Sequence, residues 1–269
     1  MQKPLMMRRP LAATMVAMGL GLGLGLALPL SAVAADRTSA PAPTTADVTA
    51  RAFEARSHAF IEGLWAQDPD AAVAAGRYEF ADRLIVPDAT SRARRLAFTE
   101  QWLQRLSALP AAELDAGQRT DLGQLLNKLR SDRFELTTLR QFEWDPSAYN
   151  VAGTLDSILT TDYAPRAQRL RAIAARLSSV PAYYRAAQAS LRHPTLEHTD
   201  LAVTQIPGVL LVLDDVAKAA AQPDAGLSGP ERLRLSRALA VARQAVQDYG
   251  QHLRGDRKST RLNSSHEWI

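Results

Sequence analysis

The sequence predicts an all-α protein, and three observations carry that expectation. From about Val48 onward, apolar residues recur at spacings of three and four, and no segment keeps the period of two that a half-buried strand needs. Helix-starting side chains and helix-breaking prolines punctuate these stretches at short intervals. No cysteine occurs in the 269 residues, so packing alone has to hold the fold, without disulfides or thiolate-bound metal. Antiparallel helices joined by short loops are the expected architecture.

The elements follow in order. Phe53, Phe60, Ile61 and Leu64 share one side of a first helix, with Arg51, Glu54 and Arg56 turned to water. Asp68 caps a short alanine-rich turn that begins with Pro69 and stops at Gly76. Residues 78–88 form a connection, after which Asp88 or Thr90 caps a helix with an apolar face of Leu96, Trp102, Leu103, Leu106 and Leu109. Pro110 ends it. After Asp115 a long helix presents Leu122, Leu125, Leu126, Leu129, Leu136 and Leu139. Residues 143–150 (EWDPSAYN) make a non-helical joint, because Pro146 disfavours helical geometry at Asp145.

Pro165 suits the first turn of a helix bearing Leu170, Ile173, Leu177 and Val180, and Pro181 starts another that runs to Arg192. Thr195 caps a further segment that Pro207 and Gly208 kink or break. Ser228 and Glu231 form a capping box ahead of Leu235, Leu239, Ala242, Val246, Tyr249 and Leu253, a stripe of alternating four- and three-residue steps.

Both ends read differently from the body. Lys3, Arg8 and Arg9 precede an apolar run from Leu11 to Leu30, and Ala32, Val33 and Ala34 offer a small-residue cleavage site, so residues 1–34 are expected to be a signal peptide. A retained membrane anchor is the competing expectation. Pro29 near the end of the run and the offset of Arg37 by Asp36 argue against it. Without cysteine there is no thiol for a lipid anchor, which leaves export to a bacterial periplasm with no stable membrane attachment. Residues 35–47 are rich in Pro, Thr, Ser and Ala and are expected to be a disordered linker.

At the other end, residues 256–266 back-translate, in one frame, into a widely used short-read sequencing adapter. Residues 256–269 are therefore expected to be foreign to the protein, whose helical domain spans 48–255. A leucine-rich face, that of 235–253 foremost, is expected to lie exposed because its packing partner is missing.

This partition removes the chain's basic character. Of 32 Lys and Arg, three fall within residues 1–34 and three within 256–269; two of the 28 Asp and Glu also fall in the tail. The body carries 26 of each and is neutral, although the whole chain has an isoelectric point of about 9.6. Nucleic-acid binding, which needs surplus cations to displace counterions, loses its motive.

Chemistry-bearing groups are few. Glu143, Asp145 and Tyr149, around Trp144 and Pro146, are the candidates for lining a substrate cleft, since two carboxylates beside aromatics on a joint can act as acid and base. The alternative is a joint that caps the next helix and buries Trp144. Asp162 and Tyr163 ahead of Pro165 invite the same pair of readings. His193, Glu197 and His198 have metal-ligand composition, but two histidines five apart lie roughly 140° apart around a helix and share no face. A capped helix entry explains them better. Ser265, His266 and Glu267 resemble the opening of a zinc-binding His-Glu motif but lie inside the tail. His58 and His252 sit on amphipathic helices. Neither a Gly-x-Ser-x-Gly elbow nor a phosphate-binding glycine loop is present.

Four stretches in order carry a resemblance. They are Phe60 to Phe80, with a helix entering a "P-x-x-A-x-x-x-G" turn; Asp145 to Tyr149, "D-P-x-x-Y"; residues 166–192; and Asp200 to Gly208, close to "E-x-A-I-x-Q-x-x-G". Together they resemble the N-terminal half of the bacterial family called domain of unknown function 885, over about 47–253. Asp200, Tyr184 and Ser190 depart from the family's usual Glu, Leu and Asn.

The resemblance implies a largely helical, zinc-dependent peptidase acting on peptides. The family's metal site, a His-Glu pair followed by Pro-Gly-His, belongs to the C-terminal half. No position here matches it, so no catalytic or metal-binding residue is carried over. Zinc is expected of the full-length parent and no cofactor of this chain, which is expected to be inactive by itself. The competing class is a non-enzymatic periplasmic helical bundle that binds a partner through its loops.

Overall fold

The computed structural model describes the backbone of residues 42–264 and the side chains of residues 42–255. The expected signal peptide, residues 35–41 of the expected linker and Ser265, His266 and Glu267 lie outside the described residues. Among those described there are eight α-helices and no strand. No helix among them is long and apolar enough to cross a membrane.

The helices sort into two cores. The first contains α1 (Thr45–Gln67), α3 (Ala89–Ser107) and α4 (Ala116–Phe134). Phe53, Phe60, Trp102, Leu106, Leu122 and Leu129 fill it. Helix α1 begins within the stretch expected to be disordered, because Thr44 and Asp47 form a capping box that satisfies the first free amides. Arg56 reaches the Arg105 carbonyl at 2.9 Å while Phe60 meets Trp102, so α1 and α3 run antiparallel. Gly63 leaves room for the Phe98 ring, which a Cβ there would meet at 2.7 Å.

Asp88 caps α3 through the Ser91 amide, and Asp115 caps α4 in a box with Gln118. Helix α4 gives way at Glu135–Leu139 to a wider π-type turn that ends at Arg140, whose φ of 48° is left-handed. The change of pitch rotates the expected apolar face out of register: Leu136 is only half-buried and Leu139 is exposed.

The second core is larger. It joins α2 (Pro69–Ala74), α5 (Ala152–Thr160), α6 (Arg166–Ser190), α7 (Leu196–Ala221) and α8 (Gly229–Ser264). Three buried seams meet there: Leu170, Ile173, Leu177, Val180, Tyr184 and Ala187 on α6; Thr199, Ala202, Ile206, Val209, Leu213 and Val216 on α7; and Leu235 to Leu253 on α8. All three step by threes and fours, the coiled-coil repeat. Helix α7 is antiparallel to α8, with Arg243 paired to Asp214 and Gly250 against Ile206. Helix α6 runs parallel to α8, since Arg171 meets Glu231 at 2.7 Å and Tyr184 meets Tyr249 at 4.7 Å. The chain neighbours α7 and α8 are thus antiparallel as expected, and α6 lies parallel to α8.

Four expectations need correction here. Pro181 does not start a helix and Pro207 does not interrupt one; both lie inside continuous helices. Each sits off its seam, Pro207 fully on the solvent side, so an unbroken buried stripe outweighs the roughly 3 kcal/mol that an interior proline costs. Helix α5 was not expected; it starts where Asn150 Oδ1 accepts the Ala152 amide at 2.9 Å, and it buries Leu155 and Ile158. The 235–253 face is covered, not exposed, because α6 and α7 supply its partners.

The start of α8 makes one pH prediction. Glu231 accepts from Arg171 and from Ser228 Oγ and N, which holds its carboxyl down at about 2. Its folded value lies below its unfolded one. The contribution is therefore complete above the ordinary carboxylate range and disappears as pH falls towards 2. Glu231→Gln should lower stability in the neutral region and remove the slope across that acidic window, so that the two profiles converge as pH falls towards 2, as read from thermal midpoints against pH.

Candidate functional site

The joint after α4 is built from its own polar groups. The left-handed Arg140 folds its guanidinium onto Glu143, and Arg192 approaches the same carboxylate at 3.3 Å. Arg140 foremost among these cations holds the Glu143 carboxyl below its ordinary range. The Trp144 indole donates to the Leu139 carbonyl at 2.9 Å.

Asp145 is 4% exposed, and burial alone would raise its pKa. Donors on both oxygens win, and the net shift is downward: Ser147 N and Oγ on one, at 2.9 and 2.5 Å, and Gln141 Nε2 on the other, at 2.7 Å. The carbonyls of Glu143 and Trp144 accept the amides of Arg192, His193 and Thr195, which pins the joint to the α6–α7 connection. Tyr249 Oη, from the second core, donates to the Pro146 carbonyl at 2.9 Å. Both carboxylates are thus committed to donors that shape the joint.

Tyr149 has a different setting. It is buried, donates to the Phe142 carbonyl at 2.7 Å, and has its phenol pushed up by burial. It also lines a cleft of about 340 Å³ where the two cores meet. The cleft gathers the α1–α2 corner with Asp68 and Asp70, the loop residues Ile85 and Pro87, and the first turns of α3 with Arg92, Arg94 and Arg95. The α4 end with Glu135 and Leu136, and the joint with Phe142, complete it. Glu143 and Asp145 stand outside this lining, so the structure places one of the three sequence candidates at the cleft.

The other candidates are dispersed. His193 and Glu197 are exposed, while His198 Nδ1 contacts Thr195 Oγ1 at 2.6 Å with its ring against Trp144. Asp162 pairs with Arg169 at 3.3 Å, and Tyr163 stacks on Tyr78. His58 and His252 face solvent. Among the described residues no three His, Cys, Asp or Glu side chains gather in a way that could hold a metal ion.

The sequence pattern does not single out the cleft arginines. Ser91 to Arg95 (SRARR) follows a helix cap, where a cation run reads as a solvated face, and only the folded chain brings Phe142 and Ser190 to it. Arg92 donates to the Pro87 carbonyl at 2.5 Å and to Ser190 Oγ at 2.9 Å, with its guanidinium 4.3 Å from the Phe142 ring centre. Such stacking fixes a cation and screens it from water.

No curated protein matches the chain. Among solved structures, it is similar to one described as "a putative lipoprotein of unknown function from Shewanella oneidensis", at 34% identity and a TM-score of 0.75. That likeness covers 78% of this chain but 38% of the other, so the chain spans well under half its neighbour's length. The family model for bacterial proteins of unknown function, DUF885, matches residues 69–265, a range that takes in most of the tail read as foreign. The ordered motifs and this match over most of the length agree: the chain belongs to the DUF885 family.

Proposed function

We propose that this chain is the helical, substrate-facing portion of an exported zinc-dependent peptidase, and that the metal-binding half belongs to a longer parent. The observation that supports the reading best is the mismatch in length. A 34%-identical structural relative is covered for 38% of its chain, while 78% of this chain is used. In the parent, a metal supplies an activated water for attack on a peptide carbonyl. The residues here build one wall of the cleft and contribute no ligand. Residues 256–269 are library-preparation sequence joined to the coding frame.

Extracytoplasmic placement follows the neighbour's description as a lipoprotein, but by another route. With no cysteine to lipidate, this chain relies on a cleavable leader and is released into the periplasm.

The test compares the exported chain with the longer protein read from the same locus, on a pool of unstructured peptides, with metal analysis of both. The chain by itself should hold no stoichiometric zinc and cleave nothing. The longer protein should cleave, and stop when a chelator removes its metal. Zinc-dependent cleavage by the chain alone, or an inert longer protein, contradicts the proposal. The second outcome favours a non-enzymatic binding bundle, a reading that the cleft between the cores also supports.

A further inference from the structure

Ion pairs engage some of the charges that line the cleft and leave others free to meet a ligand. Asp68 accepts from the Ala71 amide and keeps its charge, while Asp70 is paired with Arg176. Arg95 is paired with Asp132, which Lys128 also holds. Asp88 feels Arg92 and Arg94 but gives its oxygen to the Ser91 amide. Two cations remain without an ion pair among the described residues: Arg92, locked on Phe142, and Arg94, whose one side-chain partner is Ser91 Oγ at 3.0 Å. Glu135, exposed at the rim, and Asp68 are the lining carboxylates outside any ion pair among the described residues, and Glu143 also feels Arg92 from beyond the lining.

Beside these cations lie Ile85, Pro87, Leu136 and Phe142, an apolar floor. A planar guanidinium held in place beside apolar surface suits a carboxylate on a hydrophobic body, because the fork matches both carboxylate oxygens and little ordering cost remains. A volume of about 340 Å³ is at the small end of ligand sites and admits a group the size of one or two amino-acid residues. We infer that this cleft is a binding site for a small apolar carboxylate, with Arg92 and Arg94 taking the carboxylate and Phe142 and Leu136 taking the body. The site does not depend on the peptidase reading.

The experiment is calorimetric titration of the exported chain with N-acetylphenylalanine, N-acetylphenylalaninamide and phenyl phosphate. The acid should bind saturably, and the amide at least about tenfold more weakly, since it loses the charge-assisted pair. Arg94→Gln, at an exposed position, should weaken the acid by a similar factor with the thermal midpoint unchanged, and Arg92→Lys should do so while retaining charge. Equal binding of acid and amide, absence of binding, or an unaffected Arg94→Gln variant overturns the inference. Tighter binding of phenyl phosphate than of the acid overturns the carboxylate assignment and makes this a phosphate site.

Discussion

Phe60→Ala is expected to cost about 3–5 kcal/mol, the range for emptying a buried aromatic site. Phe60 has no exposed surface and is the hinge of the first core, 5.8 Å from the Phe98 ring and 5.6 Å from the Trp102 ring. The site has little freedom to collapse, because Gly63 already brings α1 against Phe98. The second core contributes none of its own seams to this cluster. The loss should therefore fall on α1, α3 and α4, and Trp102 fluorescence should report a lower denaturant midpoint than helical circular dichroism, which α6, α7 and α8 dominate. A shift under about 1 kcal/mol would mean that Phe60 is not packed as described.

Arg176→Met should be the second-largest loss, about 2–3 kcal/mol. Arg176 lies in mid-α6 with 2% of its side chain exposed; it donates through Nε to the Ala81 carbonyl at 2.7 Å and pairs with Asp70. Methionine keeps the apolar volume but leaves the buried Ala81 carbonyl without a donor. Asp70, about half exposed, can rehydrate, and Arg176 Nη2 has no acceptor in the native fold, so the loss stays below that of a fully satisfied buried pair. Hydrogen exchange should rise at residues 69–88, the segment this side chain ties to α6. The freed Asp70 carboxylate would also oppose an anion in the cleft. Unchanged exchange across 69–88 would contradict the role given to Arg176.

How much was legible depended on how local each cause is. Caps are local, and Asp68, Asp88 and the Ser228–Glu231 box start helices where their side chains said they should. Seams are nearly as local, and Leu170 to Val180 and Leu235 to Leu253 are buried as their spacing predicts. The prolines misled because their cost is local while the compensation is not: an uninterrupted stripe against α8 carries the chain past Pro181 and Pro207. The same non-locality hid the partners of the α8 stripe, which come from 60 residues upstream in the pair Arg171 and Glu231. The joint at 143–150 was recognised as a joint, yet its carboxylates are used up by neighbours. The cleft itself draws on five separate segments, and only its position between two cores gives the SRARR run an inward-facing member.

The proposed peptidase chemistry requires a further segment, of the kind by which the 34%-identical relative exceeds this chain. Long-read sequencing of the genomic locus tests that most directly. The expected result is a codon 256 that departs from the present tail and a frame that continues into a His-Glu pair followed closely by Pro-Gly-His. A locus encoding residues 256–266 as they stand, or a stop codon directly after residue 255, would contradict it.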